Sequence, residues 1–110
     1  ISFFDYAENY YHGFLAGLLK SQNKYEVFSN PESGLGRPDI VMREMKFRGQ
    51  VIILELKTAK KFDDMEPLCM EALKQIESRQ YEKAFIEEGC GNVKKYGVCF
   101  YKKGCIVKCS

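Results

Sequence analysis

Asp39, Glu55 and Lys57 are the residues of this 110-residue chain whose types and spacing point to chemistry. Val51-Ile52-Ile53-Leu54-Glu55-Leu56-Lys57 has a nearly continuous apolar run and reads as a strand covered on both faces, yet two of its members carry charge. A buried charge is costly unless it is paired, hydrogen-bonded or metal-bound. Two carboxylates converging with a lysine at a sheet end suit a magnesium-dependent phosphodiesterase. Oxygen ligands hold the cation, the cation polarises a phosphate and acidifies a water, and the amine orients that water or stabilises developing negative charge. Mg²⁺ keeps several waters and takes one or two protein carboxylates, so this short set suffices. The plainer alternative is an ion pair between Glu55 and Lys57 at an incompletely covered strand end.

Register is what brings Asp39 to the other two. After Pro38, Asp39 to Phe47 alternates imperfectly as a strand, and Arg48-Gly49-Gln50 supplies a short turn before the apolar strand. With the turn bracketed by Lys46 and Val51, Asp39 is expected about opposite Lys57, and Glu55 about opposite Val41. Residues two apart share a strand face, so all four project to the same side.

The flanking stretches read as the scaffold for this hairpin. Phe3 to Lys20 carries Phe4, Ala7, Tyr11, Phe14, Leu15, Leu18 and Leu19 at helical spacing, the pattern of an amphipathic helix. Gly13 and Gly17 weaken it locally and are expected to let another backbone approach closely. Tyr25 to Ser29 reads as a short strand, and with Asn30-Pro31-Glu32-Ser33-Gly34 as turn signal it forms an antiparallel hairpin with the Asp39 strand. Thr58 to Asp64 is a polar exit loop. Pro67 opens a helix with an apolar stripe of Leu68, Cys69, Ala72, Leu73 and Ile76, and Gln75 and Arg79 stand at its margin. The phase slips near Ser78 to Gln80, which predicts a bend or a second short helix from Tyr81 to about Glu88. Tyr96 to Tyr101 and Cys105 to Cys109 alternate as a terminal hairpin. The order α-β-β-β-α-β-β is that of an α/β fold with a mixed sheet flanked by helices.

Composition bounds the class. At 45% hydrophobic and 29% charged residues, the chain has the profile of one globular domain spanning residues 1–110. A net charge of +2 does not announce a nucleic-acid surface, so local lysine clusters must carry any such role. These lie at Lys57, Lys60 and Lys61, at Lys94 and Lys95, and at Lys102, Lys103 and Lys108, where solvated loop and edge lysines are an equal reading. Five cysteines, odd in number and without a CxxC pair, point to free thiols and a reducing, cytoplasmic compartment. Cys99, Cys105 and Cys109 are expected as small buried residues of C-terminal strands rather than zinc ligands. No run approaches the length of a membrane span. The opening Ile1 suggests a trimmed chain or a domain excised from something longer.

Pro38-Asp39, fifteen residues, then Glu55-Leu56-Lys57 resembles the signature of the PD-(D/E)XK, restriction-endonuclease-like nuclease superfamily. More narrowly, YHGFLAGLL, SNPESGLGRPDIV, ILELK, ALKQI and Tyr81, in that order, resemble the nuclease domain found C-terminal to AAA-ATPase-like domains in bacteria and archaea. The resemblance implies a restriction-endonuclease-like core. It also implies Mg²⁺-dependent hydrolysis of DNA, with RNA the lesser alternative and Mn²⁺ a substitute ion, and an AAA-ATPase-like domain as partner. By the same resemblance Asp39 and Glu55 are metal ligands, Lys57 is the catalytic lysine, Glu8 is an additional acidic ligand, and Gln75 matches a catalytic glutamine. In exonuclease-like members a Tyr stands four residues after that glutamine, whereas here that position is Arg79 and the tyrosine is Tyr81. Taken as residues alone, Glu8 is equally a solvated helix-start carboxylate, His12 a packed helix residue, Arg37 a solvated turn residue and Gln75 the edge of the apolar stripe. A non-catalytic module of the same fold, binding nucleic acid or docking a protein beside an ATPase domain, is the alternative function.

Overall fold

In this computed structural model the backbone is described from residue 3 to residue 110 and the side chains from residue 7 onward, so the expected packing of Phe4 lies outside the described residues. The elements run α1 (Phe3–Leu19), β1 (Tyr25–Ser29), β2 (Ile40–Glu44), β3 (Val51–Thr58), a 3₁₀ turn at Phe62–Asp64, α2 (Met65–Ser78), α3 (Tyr81–Glu87), β4 (Val93–Tyr101) and β5 (Gly104–Cys109). This is the expected order, with the phase slip resolved as a separate α3. Gln80 makes the break by adopting a left-handed φ of 58° between the two helices.

The five strands form one sheet in the order β1-β2-β3-β4-β5. Every neighbouring pair is antiparallel except β3–β4. A parallel pair needs a long crossover, and α2 and α3 supply it. They cover one face of the sheet, where Val41, Val51 and Ile53 pack against Leu73, Ile76, Tyr81 and Phe85. Helix α1 covers the other face, with Ala16 packed among Ile40, Met42, Leu56 and Val98. Among the described residues no helix is long and apolar enough to cross a membrane.

The β2–β3 register differs from expectation. Ile40 pairs with Leu54 and Val41 with Ile53, so Asp39 stands opposite Glu55 rather than Lys57. Strand β2 stops at Glu44, short of Phe47, because Met45 to Gly49 form the loop. That loop is closed by Glu44 N–H donating to Gln50 O at 2.9 Å and by Gln50 N–H donating to the Glu44 carboxylate at 2.9 Å. Gly49 is required inside it, since a Cβ there would lie 2.5 Å from Glu44 O. A slip of two residues preserves the face of every side chain, whereas a slip of one would have inverted them.

The glycines that admit a neighbouring backbone are also not the expected ones. Gly13 and Gly17 look onto open space, while a Cβ at Gly97 would stand 2.4 Å from Cys69 O and 3.1 Å from Ala72 Cβ. Helix α2 therefore sits on β4 through Gly97, the residue that pairs with Glu55. Strand β4 begins at Val93, three residues earlier than the alternation suggested, and Lys95 within it is paired to Glu82 at 2.6 Å. Cys99 is fully buried as expected, but Cys105 and Cys109 are exposed on β5; all five cysteines are free thiols.

Gly97→Ala is expected to lower stability by about 1–3 kcal/mol, because α2 must shift to admit the methyl group. Gly17→Ala, in a helix interior facing open space, is expected to raise it by about 0.5–1 kcal/mol. Urea denaturation midpoints measure both, and equal effects would contradict this packing.

Candidate active site

The β2–β3 ladder ends at Ile40 and Leu54, and from there side chains continue the pairing. Asp39 N–H donates to Glu55 Oε1 at 3.0 Å, and Leu56 N–H donates to Asp39 Oδ2 at 2.7 Å. Each carboxylate thus holds the backbone of the other's strand. The pair is locally determined: buried Pro38 keeps the chain extended into Asp39, and β3 is apolar enough to run through the core and carry Glu55 with it.

Glu55 is only 2% exposed. Burial, and next the negative charge of Asp39, push its pKa from the ordinary 4.5 up to about 7, against the Asp39 N–H bond and the positive charges of Lys57 and Arg79. Burial also raises Asp39, against the bond from Leu56 N–H and the positive charges of His12 and Lys57. Two carboxylates raised together, by burial first, are a site whose charged forms are not fully compensated by the surrounding donors and cations.

That deficit fits a hard cation. The backbone bonds occupy Glu55 Oε1 and Asp39 Oδ2, which leaves Oε2 and Oδ1 as oxygen donors on facing strands. Two protein carboxylates match what Mg²⁺ takes when it retains waters. Glu8, an additional acidic ligand by the resemblance, is exposed on α1, and among the described residues no group of three or more His, Cys, Asp or Glu able to hold a metal ion is found.

Lys57 does not bond either carboxylate. Its ammonium donates to Gln75 Oε1 at 2.9 Å and lies 4.0 Å from Glu71, both on α2. Gln75 is therefore the partner of the lysine rather than merely the edge of the apolar stripe. Arg37 is exposed, as a solvated turn residue would be, and is paired to Glu32 at 3.0 Å.

Three further residues reach the site. Tyr81 is 1% exposed, and burial raises its pKa, followed by the negative charges of Glu55 and Asp39. Its hydroxyl and the Arg79 guanidinium both lie against Gly36, within 3.2 Å of where a Cβ would stand. His12, which the sequence suggests only as a packed helix residue, acts on the Asp39 carboxyl through its charge, and its Nε2 is buried without a hydrogen-bond partner. The signal for Tyr81 and Arg79 was the slip in helical phase: the break at Gln80 turns both toward the loop that precedes Asp39. For His12 the signal was its spacing on α1, legible only once the helix had been placed over Asp39.

Between pH 4.5 and about 7 the folded chain retains a proton on Glu55 that the unfolded chain has lost, so stability falls as pH rises through this window. The full shift corresponds to about 3 kcal/mol. Glu55→Gln keeps an oxygen for Asp39 N–H and removes the ionisation. In metal-chelating buffer it is expected to exceed the parent in stability by about 2–3 kcal/mol at pH 8, with the advantage shrinking to nothing below pH 5. Guanidinium titrations at the two pH values check this, and a pH-independent difference would contradict it.

No curated protein and no solved structure matches the chain. The family model described as the PD-(D/E)XK nuclease superfamily matches it over residues 6–109, a span that includes both carboxylates, the lysine, α2 and the whole sheet. With the mixed sheet flanked by helices and the carboxylates meeting at the end of the β2–β3 hairpin, the chain belongs to the PD-(D/E)XK nuclease superfamily.

Proposed function

We propose that the chain is a divalent-metal-dependent nuclease domain that hydrolyses phosphodiester bonds of DNA, with Asp39 and Glu55 as the ligands of Mg²⁺ or Mn²⁺. The single observation that carries this reading is the reciprocal bonding of Asp39 and Glu55, which aligns two charge-deficient carboxylates beside a lysine. A bound divalent ion supplies Lewis acidity toward the phosphate and acidifies a water.

The chain's own residues do the rest. Asp39 and Glu55 are fixed by backbone donors and need no reorganisation to act as ligands. Lys57 is held by Gln75 through one ammonium proton, which leaves its others for a water or a phosphate oxygen. Gln75 is thus a positioning residue for Lys57. Tyr81 closes the site against bulk water from the α3 side. The resemblance to nuclease domains beside AAA-ATPase-like domains extends the reading to such a partner, and the free thiols extend it to a cytoplasmic setting.

Lys57→Ala is expected to reduce Mg²⁺-dependent cleavage at least about 100-fold without loss of fold. Gln75→Ala is expected to cost about tenfold, since the amine remains but its orientation does not. Cleavage of linear, circular and single-stranded DNA by parent and variants measures both. Calorimetric titration with Mn²⁺ should give binding that Asp39→Ala abolishes. Full activity in Lys57→Ala would sink the mechanism, and a parent that binds nucleic acid but never cleaves it would leave a non-catalytic module of the same fold.

A further inference from the structure

We propose that the trough between α1 and the β4–β5 turn is a stacking subsite for unpaired nucleotides, so that the adjacent site takes single-stranded or single-strand-ended nucleic acid; this rests on the nuclease reading above. The trough has a volume of about 470 Å³ and is lined by Tyr10, Tyr11, Phe14, Phe100, Lys102 and Lys103.

Its aromatic residues divide into a half-buried support and an open platform. The Tyr11 ring stacks on Phe100 with centroids 4.5 Å apart and planes within 3°, and the Tyr11 hydroxyl donates to Lys102 O at 2.5 Å, which ties α1 to the turn. Tyr10 and Phe14, one helical turn apart, stack at 6.2 Å and 18°, yet they are 58% and 59% exposed. Large rings presented in parallel to solvent are unfavourable for a folded chain unless something covers them. Every nucleobase has a π-face that can do so, at about 1–3 kcal/mol per base.

Charge favours a nucleic acid over an apolar protein segment as the occupant. Lys103 is exposed at the rim and supplies an ammonium for a backbone phosphate, while the Lys102 ammonium lies 5.2 Å from the Tyr101 ring centroid. Position favours it further. Phe100 pairs with Thr58, the residue after Lys57, and Phe100 O accepts Ala59 N–H at 2.8 Å. Tyr11 is followed by His12, whose charge acts on Asp39. The platform therefore lies on the α1 face of the sheet, opposite the face that carries Glu55 and Lys57, and at the same end of β3 as those residues. Bases held in a duplex are already stacked on each other and cannot lie on such a platform, which makes it selective for unpaired ends.

The chain contains no tryptophan, so Phe14→Trp keeps the platform aromatic and installs a single indole reporter. The probe is twelve-residue oligothymidylate, compared with a blunt duplex of equal length, in chelating buffer so that binding is read without cleavage. The expected result is quenching of the indole by the single strand and not by the duplex. Tyr10→Ala and Phe14→Ala are each expected to weaken single-strand binding about tenfold while leaving duplex binding unchanged. Lys103→Ala is expected to lower the salt dependence of binding by about one unit of slope.

Equal affinity for both oligonucleotides, or alanine variants that bind the single strand as tightly as the parent, overturns the subsite. So does an indole already quenched at high protein concentration without nucleic acid, which would mark the trough as an interface with a second copy. Cleavage by the parent with Mg²⁺ but no quenching overturns the subsite and leaves the nuclease reading standing. Quenching with no cleavage supports the subsite and removes the nuclease reading.

Discussion

The crossed pair of bonds between Asp39 and Glu55 is the constraint on which the rest of the structure depends. A hairpin end normally frays into solvent, yet here the last ladder pair is followed by two side-chain bonds to backbone N–H groups. Backbone donors cannot rotate away, so the carboxylates are oriented by the sheet itself. Glu55 is also buried and Asp39 half-buried, and burial is the first cause of the rise in both pKa values. The fold thus holds two acids where their charged forms are disfavoured, and Lys57 does not neutralise them directly, since its ammonium is bonded to Gln75 instead.

Helix α2 gives this hairpin its surroundings, and its placement rests on the absence of a side chain. Gly97 neighbours Glu55 across the parallel pair and lets the α2 backbone come down onto β4. That approach brings Gln75 within reach of Lys57. The far end of α2 is fixed differently: Leu35 N–H donates to Arg79 O at 2.8 Å, and a Cβ on Gly34 would collide with Arg79 O and Gln80 O. The loop leading into Asp39 is therefore seated on the α2–α3 break. Asp39, Lys57, Gln75, Arg79 and Tyr81 share one rigid reference even though they come from four different segments.

How much of this was legible in the sequence depended on the range of the interaction. The strand carrying Glu55 and Lys57, the helix after it and the break near Ser78 are written in local periodicity, and the structure reproduces them. The shared face of Asp39, Val41, Glu55 and Lys57 was legible too, because strand faces depend only on whether a register is odd or even. The register itself was not, because it is set by the closure of the Met45–Gly49 loop through the Glu44 side chain, a contact that no pattern of hydrophobicity records. Close approach at Gly97 rather than Gly13 or Gly17 was equally hidden: a glycine's neighbours belong to another element. Cys105 and Cys109 alternate as buried strand residues do, but β5 is an edge strand whose α1 side is left open, and alternation cannot distinguish a covered face from an uncovered one.

That uncovered face also makes the two sides of the sheet physically different. On the α2 side the sheet is sealed, and sealing is what raises Glu55 and holds Lys57 against Gln75. On the other side α1 packs mainly against β1 and β3 and touches β4 through Ala16 against Val98 and the Tyr11–Phe100 stack, so the outer part of β4 and β5 presents rings and lysines instead of a second helix. The carboxylates lie at the sheet end where both faces terminate. On the proposed reading, a desolvated pair of carboxylates and an accessible polymer call for one closed side and one open side, and a five-stranded sheet with α2 and α3 on one face and α1 on part of the other has both.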